Sequence, residues 1–336
     1  VYSDSGDFLI RLKGFVEKRI FESYLLLKNH FQDFDEMALV AASAWDQRYR
    51  KIGTGPDSGF ARQLNMASAQ LSHIGWESGL LIETGTPTDS IGFVIQVAGD
   101  KRLRMNGQVL GRDQIALLHA PNAYDLLNAQ NTTYMVLAVD AEQVLRHVQA
   151  HWGLLPVRLD ALSTLTAEVN SQQGYLSSLM RQHLELAYGK PGLLNDPGIQ
   201  ELLIDELLDA IFLSCSILPT QKSPAHRHLA AKKAAQYIKD NVDETVTLRS
   251  MCEHTGTSER SLRQGFLERF GVTPKTYIKH FRLHQLRDRL RDPANEGVTI
   301  TECAVRLGLT HLGRLPGEYR ALFGELPSKT KPIVQL

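Results

Sequence analysis

Arg260, Arg263 and Gln264 share one side of a short amphipathic stretch, Ser258 to Phe270. The other side carries Leu262, Phe266 and Phe270 at i, i+4 and i+8. Arginine can donate two parallel hydrogen bonds to guanine, and glutamine can make two with adenine. On one helix face these side chains could therefore read base edges in a DNA major groove. A second set, Thr310, His311 and Arg314, precedes Leu315, Tyr319 and Phe323 in a similar way, and could contact bases or phosphates. An exposed arginine ordinarily does no more than solvate a helix, so the elements carrying these residues decide the matter.

Those elements are repeated. Leu262, Phe266, Phe270, Gly271 and Pro274 recur as Leu315, Tyr319, Phe323, Gly324 and Pro327, each 53 residues later. Upstream of each set a small residue is followed four positions on by glycine, Cys252 to Gly256 and Ala304 to Gly308. Two copies of one supersecondary unit are implied. In the first, Thr247 can cap a helix burying Leu248, Met251 and Cys252, and Ser258 caps the next after a break at Thr255-Gly-Thr257. Two short helices about a glycine turn form a helix-turn-helix, whose second helix enters the major groove. The second copy opens on Thr299-Ile-Thr-Glu302, a capping box, with Ile300, Cys303, Ala304 and Leu307 inward. Its turn is one residue longer, and its recognition helix is expected to begin near Thr310 or His311. Pro316-Gly317 falls where that helix would continue; proline is tolerated only in a first turn, so the helix either starts late, near Leu315, or bends. A long helix, Pro274 to Asp292, joins the copies, and another, His228 to Val242, precedes them.

Phe266-Leu-Glu-Arg-Phe-Gly-Val-Thr-Pro274, Arg282-Leu283, Gly308-Leu309 and Tyr319-Arg-Ala-Leu-Phe-Gly-Glu-Leu-Pro327 resemble the AraC/XylS family of bacterial transcription regulators, over residues 227–327. The family usually has Phe where Leu309 and Leu315 stand. The resemblance implies double-stranded DNA as a partner, with both units of one monomer reading successive major-groove faces of an asymmetric site. It assigns DNA contact to Arg260, Arg263, Gln264, Thr310, His311 and Arg314. Pro316-Gly317 favours base reading by the first unit and phosphate anchoring, through Arg314, by the second.

The N-terminal part has another texture. Phe34 to Tyr49 fits an amphipathic helix. Between about Gln63 and Asp140, short apolar runs alternate with turn formers, including an Asn106-Gly107 hairpin signal, and predict a sandwich or small barrel. Helices follow over Ala141–Trp152, Gln172–Tyr188 and Pro197–Leu218; the last has an apolar surface wide enough for either full burial or half core, half oligomer contact. Leu218 to His226, with two prolines and no period, reads as a linker. The division expected is 1–220 for sensing and dimerisation, strand-rich at 63–140 and helical at 141–218, then a linker at 221–226 and a DNA-binding domain at 227–336. The family resemblance implies that the strands form a cupin-like barrel. The fold class is then α+β: an N-terminal cupin-like β-barrel with flanking helices, followed by an all-α domain of two helix-turn-helix units joined by a long helix.

The 336 residues carry no net charge, yet residues 1–220 hold 17 basic against 25 acidic side chains and the remainder 20 against 12. A −8 sensor joined to a +8 polyanion binder accounts for the split. Cys215, Cys252 and Cys303 have no metal or disulfide spacing and fit small buried residues in a reducing cytoplasm. No apolar run is long enough to span a membrane, and the acidic Val1–Ile10 stretch lacks a signal-peptide pattern. His73 and His119 stand alone and the His226–His228 pair falls by the linker, so neither a metal, a cofactor nor a catalytic group is expected. The expected function is transcription regulation by a homodimer with a small-molecule effector, and RNA polymerase as a partner if it activates. The effector residues are unassigned. The alternatives are an effector-independent regulator controlled by abundance or a protein partner, and a metal-dependent cupin enzyme fused to a DNA-binding module.

Overall fold

A computed structural model describes residues 27–31, 45, 47–53, 55–87, 89–99, 103–111, 114–119, 123–152, 164–167, 172–216, 226–242, 246–295 and 297–330. The linker expected at 221–226 falls outside them except for its last residue.

Strands begin earlier than residue 63. β1 (Leu27–Phe31) and β2 (Gln47–Lys51) precede β3 (Gly59–Met66), β4 (Ala69–Trp76), β5 (Leu80–Gly85) and β6 (Ser90–Ala98). Then come β7 (Arg104–Met105), β8 (Gln108–Val109), β9 (Gln114–His119), β10 (Ala123–Asn128) and β11 (Thr132–Asp140). The helix expected over Phe34–Tyr49 is corrected at its end, where residues 47–49 belong to β2; of its other residues only Trp45 is described. Tyr49 packs against Trp76 at 5.7 Å between ring centroids, so its apolar surface serves the sandwich.

β12 (Thr164–Ala167) and β13 (Cys215–Ser216) complete a sheet ordered β1-β3-β4-β11-β6-β9-β12-β13, against a smaller one ordered β2-β5-β10-β7-β8. The expected barrel is not closed: among the described residues the two sheets stay separate and pack face to face. Period-two alternation explains the layering. In β10, Tyr124 and Leu126 point into the sandwich interior with Ile74, Ile82 and Val136, while Asp125 and Leu127 take the other face. The Asn106-Gly107 turn joins β7 to β8 with both residues at positive φ, 52° and 84°, as the hairpin signal requires.

The outer face of the larger sheet, with Leu71, Phe93, Leu137 and Val139, is covered by α1 (Ala141–Trp152), α2 (Gln172–Gly189) and α3 (Pro197–Ser214). α3 buries Ile204, Leu207, Leu208 and Ile211 but leaves Leu202 69% and Leu213 65% exposed. It is therefore not wholly a core helix, and it ends earlier than Leu218.

The helical part covers the outer face of the smaller sheet. It comprises α4 (His226–Asp240), α5 (Leu248–Thr255), α6 (Glu259–Phe270), α7 (Pro274–Arg291), α8 (Ile300–Arg306) and α9 (Leu315–Phe323). Lys239 reaches Glu83 at 2.7 Å, and the Arg50 guanidinium lies 4.6 Å from the Phe281 ring centre. His284 Nε2 donates to the Lys51 carbonyl at 3.3 Å. The hairpin tip meets the end of α6: the Arg269 guanidinium, nearly wholly buried, pairs with Asp125 and donates to Asn106 Oδ1 at 2.9 Å. Removing one partner of such a buried pair leaves an uncompensated charge and costs about 3–5 kcal/mol.

Candidate nucleic-acid interface

Each helix-turn-helix unit opens on a capping box. Thr247 accepts from the Ser250 amide while Ser250 accepts from the Thr247 amide, and Thr299 and Glu302 reciprocate in the same way. In the first unit Gly256, left-handed at φ 64°, turns the chain, and Ser258 caps α6 by accepting from the Ser261 amide. α6 buries Leu262, Gly265, Phe266, Arg269 and Phe270. Gly265 is required by proximity, because a Cβ there would lie 2.2 Å from the Arg227 carbonyl oxygen at the start of α4.

The opposite side of α6 exposes Arg260, Arg263 and Gln264 together. Arg260 has no ion pair among the described residues. Arg263 Nη2 lies 3.3 Å from Glu259, a surface contact that a phosphate or base can replace at little cost. Gln264 Nε2 donates to Glu268 Oε1 at 2.8 Å. Burial raises the Glu268 pKa, but hydrogen bonds from Arg227, Gln264 and His228 outweigh it and bring it to about 2. Glu268 thus remains an anion that braces α4 against α6 and steadies Gln264.

In the second unit the late start is the alternative that holds. α9 begins at Leu315 rather than near Thr310 or His311, so Pro316 occupies its first turn. The missing proline N–H costs nothing there. Thr310, His311 and Arg314 lie in the preceding turn, all exposed; the His311 carbonyl accepts from the Arg314 amide at 3.0 Å and Arg314 stands at the cap position without a side-chain cap bond. The turn is held from the connecting helix, where Arg282 Nη1 donates to the Gly308 carbonyl at 3.1 Å.

A helix-turn-helix domain family matches residues 251–332. The XylDLEGF operon transcriptional activator of Pseudomonas putida is 39% identical over 99 residues, 30% of this chain and 31% of that protein. The probable thc operon regulatory protein of Rhodococcus erythropolis is 41% identical over 98 residues, 29% of each chain. The crystal structure of a probable AraC family transcriptional regulator from Rhodopseudomonas palustris CGA009 is 31% identical; the match takes 30% of this chain and 94% of that one, with a TM-score of 0.29. The chain belongs to the AraC/XylS family. It spans under a third of the length of these operon regulators.

Within this AraC/XylS chain the 53-residue shift compares the two outward faces directly. Arg260, Arg263 and Gln264 correspond to Gly313, Pro316 and Gly317, so the second unit presents no long side chain at any of the three positions. Leu267 corresponds to Arg320, the one basic side chain of α9, which is exposed. Sequence reading missed Arg320, because a helix counted from Thr310 places the outward face a turn too early.

The N-terminal part offers two spaces. Inside the sandwich, Trp45, Gln70, Ser72, Thr84 and Tyr134 line a cavity of about 30 Å³, room for little more than one water. Its polar groups largely satisfy one another: Trp45 Nε1 donates to Gln70 at 2.5 Å, and Gln70 donates to Asn65 at 2.9 Å. A larger cleft, about 590 Å³, lies outside the smaller sheet. His73 packs edge-on against Phe60 at 5.0 Å, and burial, then Arg181 and Arg62, lower its pKa to about 4. Among the described residues no group of three His, Cys, Asp or Glu side chains could hold a metal ion, and no helix is long and apolar enough to cross a membrane.

Proposed function

We propose that this AraC/XylS-family chain is a sequence-specific, double-stranded-DNA-binding transcription regulator controlled by a small-molecule effector. Its sensing and dimerising part would be residues 1–220 and its DNA-binding part residues 227–336. The observation that carries the reading is the unobstructed α6 face, where Arg260, Arg263 and Gln264 are exposed side by side on a helix fixed by its cap and its aromatic core. We assign base reading to that face and phosphate anchoring to Thr310, His311 and Arg314 in the turn before α9. The relatives are named as operon activators and regulators, which supports activation, and RNA polymerase as a further partner. The exposed Leu202 and Leu213 on α3 support homodimerisation through that helix.

The test is fluorescence anisotropy on a duplex selected by the full chain from a random pool. Binding should weaken as salt rises, with a log–log slope of about −0.9 per phosphate contact. A chain that selects no sequence, or binds without salt dependence, would sink the reading. Effector control is tested separately, by whether any compound in a metabolite screen shifts that affinity; none doing so would favour control by abundance or a protein partner.

A further inference from the structure

We infer that Glu268 is a positioning residue for DNA reading: by holding one amide hydrogen of Gln264 it fixes the direction of that amide, and α6 then reads an adenine at that point. The inference rests on base reading by α6 as proposed above and adds the group that sets what Gln264 can read. Glu268 itself touches no base; it acts through Gln264.

The two carboxylate oxygens of Glu268 have separate tasks. Oε2 accepts from Arg227 Nε at 2.5 Å and lies 2.6 Å from His228 Nε2, both on α4. Oε1 accepts from Gln264 Nε2 at 2.8 Å. The main-chain carbonyl of Glu268 is held as well, by Arg104 Nη1 at 3.2 Å. With its side chain only 20% exposed and anchored from a second helix, Glu268 cannot swing to follow Gln264. An ordinary i, i+4 surface pair behaves differently. Arg263 and Glu259, on the same helix, are 3.3 Å apart and each 59% exposed, free to part when a phosphate or base arrives. Fifty-three residues on, the equivalents of Gln264 and Glu268 are Gly317 and Ala321, so the second unit has no counterpart of the pair.

A carboxylate accepts hydrogen bonds and donates none, so the nitrogen of the Gln264 amide, not its oxygen, must face Glu268. One N–H is occupied there. The other N–H and Oε1 remain for DNA, a single donor beside a single acceptor. In the major groove adenine offers the matching pair, N7 as acceptor and the N6 amino group as donor, whereas guanine offers two acceptors, N7 and O6. Cytosine offers only its N4 donor, and thymine its O4 acceptor beside a methyl group. An unheld glutamine amide can turn both of its N–H groups towards guanine; Gln264, held at one of them, cannot.

The test begins by selecting duplexes from a random pool with the full chain and with Gln264→Ala; the base pair whose adenine preference disappears in the variant is the one Gln264 reads. Anisotropy then compares duplexes carrying adenine, guanine or 7-deazaadenine, which lacks the N7 acceptor, at that position. The wild type should favour adenine over either by about tenfold. Glu268→Gln keeps the size of the side chain but reverses its polarity towards Gln264. Its oxygen stays with Arg227, which can only donate, its NH2 turns to Gln264, and the Gln264 amide must flip. The adenine preference should then fall to about twofold or less. Arg227→Ala cuts the brace to α4 but leaves the carboxylate, and should keep the full preference, which separates positioning from bracing. Thermal melting reports folding; if Glu268→Gln does not fold, Glu268→Asp replaces it with the same expectation, because it keeps the charge and draws it one methylene back from Gln264. A wild type that binds adenine and 7-deazaadenine equally, a Glu268 variant that keeps the preference, or an Arg227→Ala chain that loses it would each overturn the inference. A wild type that selects no duplex defeats the functional reading as well. One that selects a duplex in which Gln264→Ala relaxes no position, or a position other than an adenine, defeats this inference alone.

Discussion

In the first helix-turn-helix unit the recognition helix follows the turn at once, is capped by Ser258 and runs for 12 residues. In the second unit the chain passes from Gly308 to Arg314 before a nine-residue helix that has no side-chain cap and carries proline in its first turn. The cores nevertheless coincide: Phe266 and Tyr319 are both fully buried, and Gly271 and Gly324 both end their helices in the left-handed region, at φ 71° and 77°. The two copies share the inward spacing while their outward faces differ. A helix-turn-helix needs its core to hold two helices at a fixed angle, and that demand falls equally on both copies. The proposed contact with DNA would fall on side chains that packing does not constrain.

The core half of the comparison is tested by Phe266→Ala and Tyr319→Ala in chemical denaturation. Each should cost about 3–5 kcal/mol, the range for emptying a buried aromatic site. A markedly smaller loss for Tyr319→Ala would show that the second unit is the looser copy. Tyr319 also bonds Thr330 through its hydroxyl at 2.7 Å, which places it at the upper end.

Gly265 and Glu318 occupy equivalent positions with opposite requirements. Gly265→Ala should destabilise by about 1–3 kcal/mol, because the added methyl meets the Arg227 carbonyl. Glu318→Ala loses only a surface contact with Lys279, whose side chain is 41% exposed, and should stay within roughly 0.5 kcal/mol. Equal costs would mean that α4 is not seated on α6 as described.

A smaller effect concerns pH and the way the second unit is attached. His284 packs edge-on against Phe323 at 5.0 Å and donates to the Lys51 carbonyl; burial foremost, then the Arg50 guanidinium, lowers its pKa to about 3. A histidine held neutral in the folded state contributes stability above its unfolded pKa of about 6.5 and loses it as pH falls from there towards 3. Lowering the pH from 7 to 5 should therefore cost the wild type roughly 1–2 kcal/mol more than His284→Gln. Identical pH profiles would contradict the buried, neutral assignment.

The sequence made the helical part legible because its signals are local and redundant. Thr247, Ser258 and Thr299 cap helices where their residue types suggest, and repeated glycines mark the turns. It left α9 open: the pattern alone suggested a start near Thr310 or His311, Pro316 required a late start near Leu315 or a bend, and the helix takes the late start. The strands were legible at Asn106-Gly107, whose turn geometry dictates residue type, but not at β2, where Tyr49 and Trp45 gave an apolar spacing that suits helix and sheet alike. The cleft had no signal in the sequence. Arg104 lies 164 residues from Glu268 and 167 from Gly271, so only tertiary docking brings them together.

The central claim is the division of labour between the units, and the direct measurement is anisotropy of wild type, Arg263→Ala and Arg314→Ala on the selected duplex and on a scrambled one. Arg263→Ala should weaken the selected duplex by roughly 1–3 kcal/mol and the scrambled one far less, so that the specificity ratio collapses. Arg314→Ala should weaken both alike and make the salt slope shallower by about one. An Arg263→Ala chain that keeps its specificity ratio, or an Arg314→Ala chain that loses it, would contradict the account.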